Sequence, residues 1–92
     1  MSFEWDEAKR TENIRERGID FTDVLDLFDS PEAVVFIDNR KDYGELRFIL
    51  LGILRGKLYQ VVFTPRGRNT RIISARRANK RERRLYDRLK NH

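Results

Sequence analysis

Three β-rich segments joined by short turns constrain this chain more than anything else in it. Residues 46–54 are apolar nearly throughout, Arg55-Gly56-Lys57 interrupts them as a turn, and 58–64 resume with valine and aromatic residues. A connection that short joins only antiparallel neighbours, so the two segments read as a hairpin. Pro65-Arg66-Gly67-Arg68-Asn69 reads as a second, longer turn, and 71–76 as the next strand. Alternation along that strand sets Ile72, Ser74 and Arg76 on one face and Arg71, Ile73 and Ala75 on the other. With an isoleucine on each face, the strand belongs inside a sheet. Residues 33–38, also rich in valine and aromatics, supply a fourth strand.

The flanks are helical. Asp6 reads as the N-cap of a helix over 7–17, with Glu7 in its first turn and Gly18 as its stop. Its apolar face is thin (Ala8 and Ile14, with Trp5 just before the start), so it docks by one edge. Thr22 reads as the cap of a second, short helix. There Phe21, Val24, Leu25 and Phe28 follow the i, i+3, i+4, i+7 spacing of one buried face, and Asp29-Ser30-Pro31 ends it. Residues 78–90 read as a last helix with Ala78, Leu85 and Leu89 as its apolar seam and Tyr86 beside it. The expected fold is α+β: two N-terminal helices, a four-stranded, mainly antiparallel sheet and a basic C-terminal helix. Its 92 residues suit a single domain over 1–92.

The net charge of +5 is unevenly spread. Residues 1–64 hold 9 Lys+Arg against 13 Asp+Glu, a balance of −4, whereas 65–92 hold 11 against 2, a balance of +9. That asymmetry suits a polyanion or an acidic protein as partner, and it equally suits a solvated, charge-rich helix. No positively charged leader followed by an apolar run opens the chain, and no apolar stretch approaches a membrane span, so the expected location is the cytoplasm.

Most catalytic chemistries find no residues here. There is no cysteine, and the one histidine is the terminal His92, which argues against a catalytic triad or a histidine-based metal site. Gly52, Gly56 and Gly67 sit in strand and turn contexts, and no phosphate loop ending in Gly-Lys-Ser/Thr occurs. Asp20, Asp23, Asp26 and Asp29 recur every third residue, which reads as a solvated edge rather than a metal site. The inventory points to no metal and no cofactor. Arginine, lysine, tyrosine and a few glutamates remain. They suit cleavage of RNA through its own 2′-hydroxyl, because the substrate then carries the nucleophile. The enzyme has only to orient the phosphate, neutralise its growing charge and help move protons. Arginine pairs bidentately with phosphate oxygens but is a poor base, so proton transfer would fall to Tyr86, Glu45 or Lys9. A non-catalytic basic module that binds nucleic acid or protein is the alternative reading.

Several motifs occur in a specific order. Phe3-Glu4-Trp5-Asp6-Glu7-Ala8-Lys9 opens the chain, followed by Asn13 and Gly18-Ile19-Asp20-Phe21. Asp42-Tyr43-Gly44-Glu45, Arg47 and Gly52 come next. Thr64, Arg66, Arg71-Ile72-Ile73-Ser74-Ala75-Arg76, Ala78, Glu82 and Tyr86 complete the set. In these the chain resembles the BrnT toxins, which are related in fold to the RelE-type ribonucleases. The resemblance implies a sheet with flanking helices, an endoribonuclease activity that halts translation, and a cognate antitoxin that is a DNA-binding repressor of the pair's own operator. It places Arg66 and Arg76 as phosphate-handling arginines, Arg76 on the scissile phosphate and Arg66 on transition-state charge. It also places Arg47 at a central-strand arginine and Tyr86 at a helix tyrosine. Arg47 is expected to serve catalysis or to pair with Glu45 or Glu82. Tyr86 is expected to dock the helix or donate a proton. Lys9, Arg68, Arg77 and Lys80 are the expected RNA-binding residues. Where the family commonly reads Lys-His-Gly, this chain has Glu16-Arg17-Gly18; a cation in that place still suits a helix C-terminus.

Overall fold

In the computed structural model, which describes residues 1–91, the chain runs β1 (Ser2–Trp5), α1 (Glu7–Arg17), a 3-10 helix (Phe21–Asp29), β2 (Val34–Ile37), β3 (Phe48–Leu54), β4 (Lys57–Arg66), β5 (Asn69–Arg77) and α2 (Lys80–Lys90). The strands form one sheet in the order β1-β5-β4-β3-β2. The class is α+β, as expected, but the sheet has five strands rather than four, and β1 runs parallel to β5 while the other pairings are antiparallel. Four residues are too few for alternation to show, and the partner of β1 lies near the other end of the chain, so local pattern does not reveal it.

Both turns of the central meander are tight. Leu54 pairs with Lys57, and Arg55 and Gly56 between them have φ of 53° and 77°, the left-handed pair of a type I′ turn that matches strand twist. Arg66 pairs with Asn69, so the second turn is only Gly67-Arg68, shorter than the five-residue loop expected. Gly67 takes φ 60° at its first position, as a type II′ turn requires.

The caps differ in one place from expectation. The Asp6 carboxylate accepts from the backbone N–H groups of Ala8 and Lys9 at 2.8 and 3.3 Å, and left-handed Gly18 closes α1. The second helix is 3-10 and is capped by Asp20, not Thr22. Asp20 accepts from the Thr22 N–H at 3.1 Å while Asp23 reaches back to the Asp20 N–H, a reciprocal capping box.

The core lies on both faces of the sheet. On one face Phe21, Val24 and Leu27 of the 3-10 helix pack with Ile19 against Leu50, Val61, Ile72 and Ala75. On the other, Tyr86 of α2 packs with Ile49, Leu51, Leu58 and Val62. The α2 seam is therefore anchored by Tyr86, with Leu85 and Ala78 partly buried, while Leu89 is exposed. In α1 the buried residue is Asn13 and not Ile14, which is exposed.

The strand faces of β5 also depart from simple alternation. Val62 pairs with Ser74 and Phe63 with Ile72, leaving Ile73 as an extra residue in β5. This β-bulge shifts the parity of everything after it. Ile72 and Ala75 consequently share the 3-10 face, and Ser74 and Arg76 lie across from Val62 and Gln60 on the α2 face. Among the described residues no helix is long and apolar enough to cross a membrane.

Candidate active site

The bulge delivers Arg76 to the first turn of α2, where it meets Glu82. Nη1 and Nη2 of Arg76 donate to Oε1 and Oε2 of Glu82 at 2.8 and 2.7 Å, and Nη1 also donates to the Arg77 carbonyl at 3.1 Å. Glu82 is itself fixed by the helix start. It accepts from the Asn79 backbone N–H at 2.9 Å while Asn79 accepts from the Glu82 N–H at 2.8 Å. Gln60 of β4 donates to Oε2 at 2.6 Å. Four donors thus converge on one carboxylate and fill its acceptor sites.

Burial pushes the Glu82 carboxyl up, but hydrogen bonds from Arg76 and the Asn79 N–H, together with the Arg76 charge, outweigh it and hold the group below its usual range. Glu82 therefore stays ionised and grips the end of the guanidinium. The Nε–H of Arg76, which takes no part in that grip, remains as a donor.

The pair lines a cavity of about 320 Å³ whose wall also includes Arg40, Arg81, Phe36 and Leu85. Arg40 is held by the buried Asp38, with Nε and Nη2 each 2.8 Å from a carboxylate oxygen. Those bonds and the Arg40 backbone N–H bring the Asp38 carboxyl down to about 2 against the opposing effect of burial. The cavity is a basic, partly apolar hollow. Its one lining carboxylate is already saturated, and none of its lining side chains ordinarily titrates near neutral pH.

The strand that carries Arg76 is braced from its edge. The parallel ladder with β1 stops at Trp5 and Ile72. Beyond it the Asn13 carboxamide takes the ladder's place, donating to Ala75 O at 2.9 Å and accepting from Ala75 N at 3.3 Å. The same nitrogen donates to Ile19 O at 2.9 Å.

The other sequence-derived candidates are dispersed. Arg66 pairs with Asn69 while Arg76 pairs with Gln60. Six residues of β4 separate the two positions, roughly 20 Å, so the structure does not bring Arg66 and Arg76 to one phosphate. The charge of Arg66 instead falls near Glu4, which accepts from Asn69 and Arg71 at 2.9 and 2.6 Å and is held below its usual range chiefly by those bonds. Arg47 lies just before β3, 3.0 Å from Glu45 and 4.1 Å from the centre of the Tyr43 ring. Of its two expected partners it takes Glu45, and Glu82 goes to Arg76. Tyr86 is buried, and its hydroxyl donates to Glu32 O at 2.8 Å. Lys9 and Arg17 line a cavity of about 200 Å³ between α1 and β5. Arg68 is exposed in the second turn, Arg77 sits over the Tyr59 ring, and Lys80 opens α2. His92 lies outside the described residues.

Sequence reasoning missed Gln60, Arg40 and Arg81, and did not assign Glu82 to Arg76. One signal was available: Asn79-x-x-Glu82 is a capping-box spacing at a helix start, which fixes a carboxylate near the end of the preceding strand. Gln60 and Arg40 have no such local mark, because long-range pairing brings them in.

A family model described as the ribonuclease toxin BrnT of type II toxin–antitoxin systems matches residues 5–82, a span that takes in Asn13, the bulge, Arg76 and Glu82. No curated protein matched the chain. A strand-borne arginine braced by Asn13 and oriented by Glu82 thus lies inside the matched span, and the chain belongs to the BrnT family, the ribonuclease toxins of type II toxin–antitoxin systems.

Proposed function

We propose that this toxin cleaves RNA without a metal ion, with Arg76 on the scissile phosphate. The observation that carries the reading is the Arg76–Glu82 grip: it points a guanidinium into a basic cavity with the Nε–H still available for a phosphate oxygen. The 2′-oxygen of the RNA attacks phosphorus, the bond to the 5′-oxygen breaks, and the products are a 2′,3′-cyclic phosphate and a 5′-hydroxyl end. Arg76 stabilises the added negative charge on the phosphoryl oxygens. Arg40 and Arg81 add positive potential around it.

No lining side chain serves as the base in this scheme. Glu82 has no free acceptor site, so the 2′-proton passes to solvent hydroxide and the leaving 5′-oxygen takes a proton from water. Arg66, about 20 Å away, contacts a remote phosphate rather than the reacting one. Arg47 shapes the loop before β3, and Tyr86 docks α2. Lys9 and Arg68 contribute to the basic surface on which RNA lies. In the cytoplasm such cleavage arrests translation. The type II family implies a cognate antitoxin, which we infer neutralises the toxin and represses their shared operator.

The test is cleavage of single-stranded RNA by the purified toxin in chelator. Wild type yields cyclic-phosphate ends, and Arg76→Ala loses about 10²–10³-fold in rate. With solvent hydroxide as base, the logarithm of the rate rises steadily with pH from 6 to 8. Wild-type activity abolished by the chelator, or an Arg76→Ala variant as fast as wild type, would overturn the reading. So would a bell-shaped profile with an enzyme pKa inside that range.

A further inference from the structure

We infer that a second cavity, on the other side of the β5–α2 junction, binds the RNA sugar–phosphate backbone next to the scissile position. This rests on the ribonuclease reading above and adds a binding site to it. The cavity is about 210 Å³ and its lining includes Lys57, Arg77, Lys80 and Arg83 together with Asn79. No carboxylate lines it. All four cations are exposed. Among the described residues Lys57, Arg77 and Lys80 form no ion pair, and Arg83 has one loose partner, Asp87, at 3.5 Å with both side chains half-exposed.

The contrast with the first cavity decides what each can do. There Arg76 and Arg40 are held by Glu82 and Asp38, so much of the charge is spent on geometry. In the second cavity four cations face solvent, three of them without an ion-pair partner among the described residues and Arg83 only loosely paired, which is what phosphate binding by counterion release requires. The cavity's frame is rigid. The Ala78 N–H donates to Leu58 O at 2.9 Å, which extends the β4–β5 ladder and holds Lys57 beside the start of α2.

The two cavities adjoin at one residue. Asn79 lines both, and the successive residues Arg76 and Arg77 project to opposite faces of β5. A strand of RNA crossing this junction has one phosphate against Arg76 and its neighbours among Lys57, Lys80 and Arg83. An acidic protein segment is the competing occupant. The shared Asn79 and the adjacency of Arg77 to Arg76 favour the nucleic acid.

The experiment is binding of a fully 2′-O-methylated single-stranded RNA, which cannot be cleaved, across a salt series. The toxin and the Lys57→Ala/Lys80→Ala double variant are compared by fluorescence anisotropy. The variant is expected to bind more weakly at low salt, with a log–log salt slope shallower by about 1.4, or 0.7 for each lost phosphate contact. Both lysines are exposed, and matching thermal melts show that the variant is folded. Equal affinity and slope for the two proteins overturn the proposal. So does a variant whose only defect is weaker binding to the purified antitoxin, which would make the cavity a protein interface. Failure of the Arg76 reading shows separately, as cleavage of ordinary RNA that survives Arg76→Ala.

Discussion

Asn13 holds Ala75 by both of its backbone polar groups, donating to the carbonyl at 2.9 Å and accepting from the N–H at 3.3 Å. One side chain thus does for β5 what a continued ladder with β1 would have done, one position before Arg76. Asn13→Leu strands the N–H and carbonyl of Ala75 and the Ile19 carbonyl in a buried setting. Each stranded group costs about 1–3 kcal/mol. The expected loss of stability in urea denaturation is about 3 kcal/mol, with RNA cleavage falling further than the folded fraction does. A midpoint unchanged from wild type would show that Asn13 is not the brace.

Glu82→Gln tests the orientation of Arg76. The substitution keeps the size of the side chain but removes the charge that two guanidinium nitrogens share. Arg76 then loses one of the two acceptors that Glu82 offers it and samples other rotamers. Cleavage is expected to slow about tenfold, equivalent to ~1.4 kcal/mol of lost orientation, with a smaller loss for Glu82→Gln than for Arg76→Ala. Rates measured on one RNA substrate for both variants check the order, and a faster Glu82→Gln enzyme would contradict it.

Asp38 gives the stability of the fold a defined acid limit. Its carboxyl is depressed to about 2 by the Arg40 hydrogen bonds, so the folded state binds its proton less readily than the unfolded chain does. The contribution is fully present above the ordinary aspartate value near 4. It is lost as pH falls from there toward about 2. Asp38→Asn removes this contribution. Melting temperatures from pH 7 to pH 2 are expected to fall less steeply for the variant than for wild type, with the curves converging at the acid end. Parallel curves would show that the Asp38–Arg40 pair carries no linkage.

At Gly52 a side chain of the 3-10 helix packs tightly onto the sheet. A methyl group there meets Leu27 Cδ2 at 3.0 Å and Leu50 Cδ2 at 3.3 Å. Gly52→Ala therefore overpacks the main core and is expected to cost about 1–3 kcal/mol, read as a lower melting temperature. Arg76 lies across the sheet from this contact, so the folded fraction is expected to cleave RNA at the wild-type rate.

The elements of this chain were legible where local pattern decides them. Asp6 and Gly18 mark both ends of α1, and Arg55-Gly56 marks the turn between β3 and β4, because caps and tight turns answer to a few adjacent residues. The motif order from Phe3 to Tyr86 likewise pointed to the family whose model matches residues 5–82. Only the tertiary structure decided the rest. The parallel partner of β1 lies near the far end of the chain. The bulge at Ile73 exists only relative to β4, and it sets which face Arg76 occupies. The family resemblance placed Arg66 and Arg76 together on the phosphate, whereas the pairing register holds them about 20 Å apart and Arg76 goes to Glu82. A sequence states which side chains are present and how they alternate. Which of them meet depends on strand register and on one inserted residue, and those are settled by packing between segments that the sequence keeps apart.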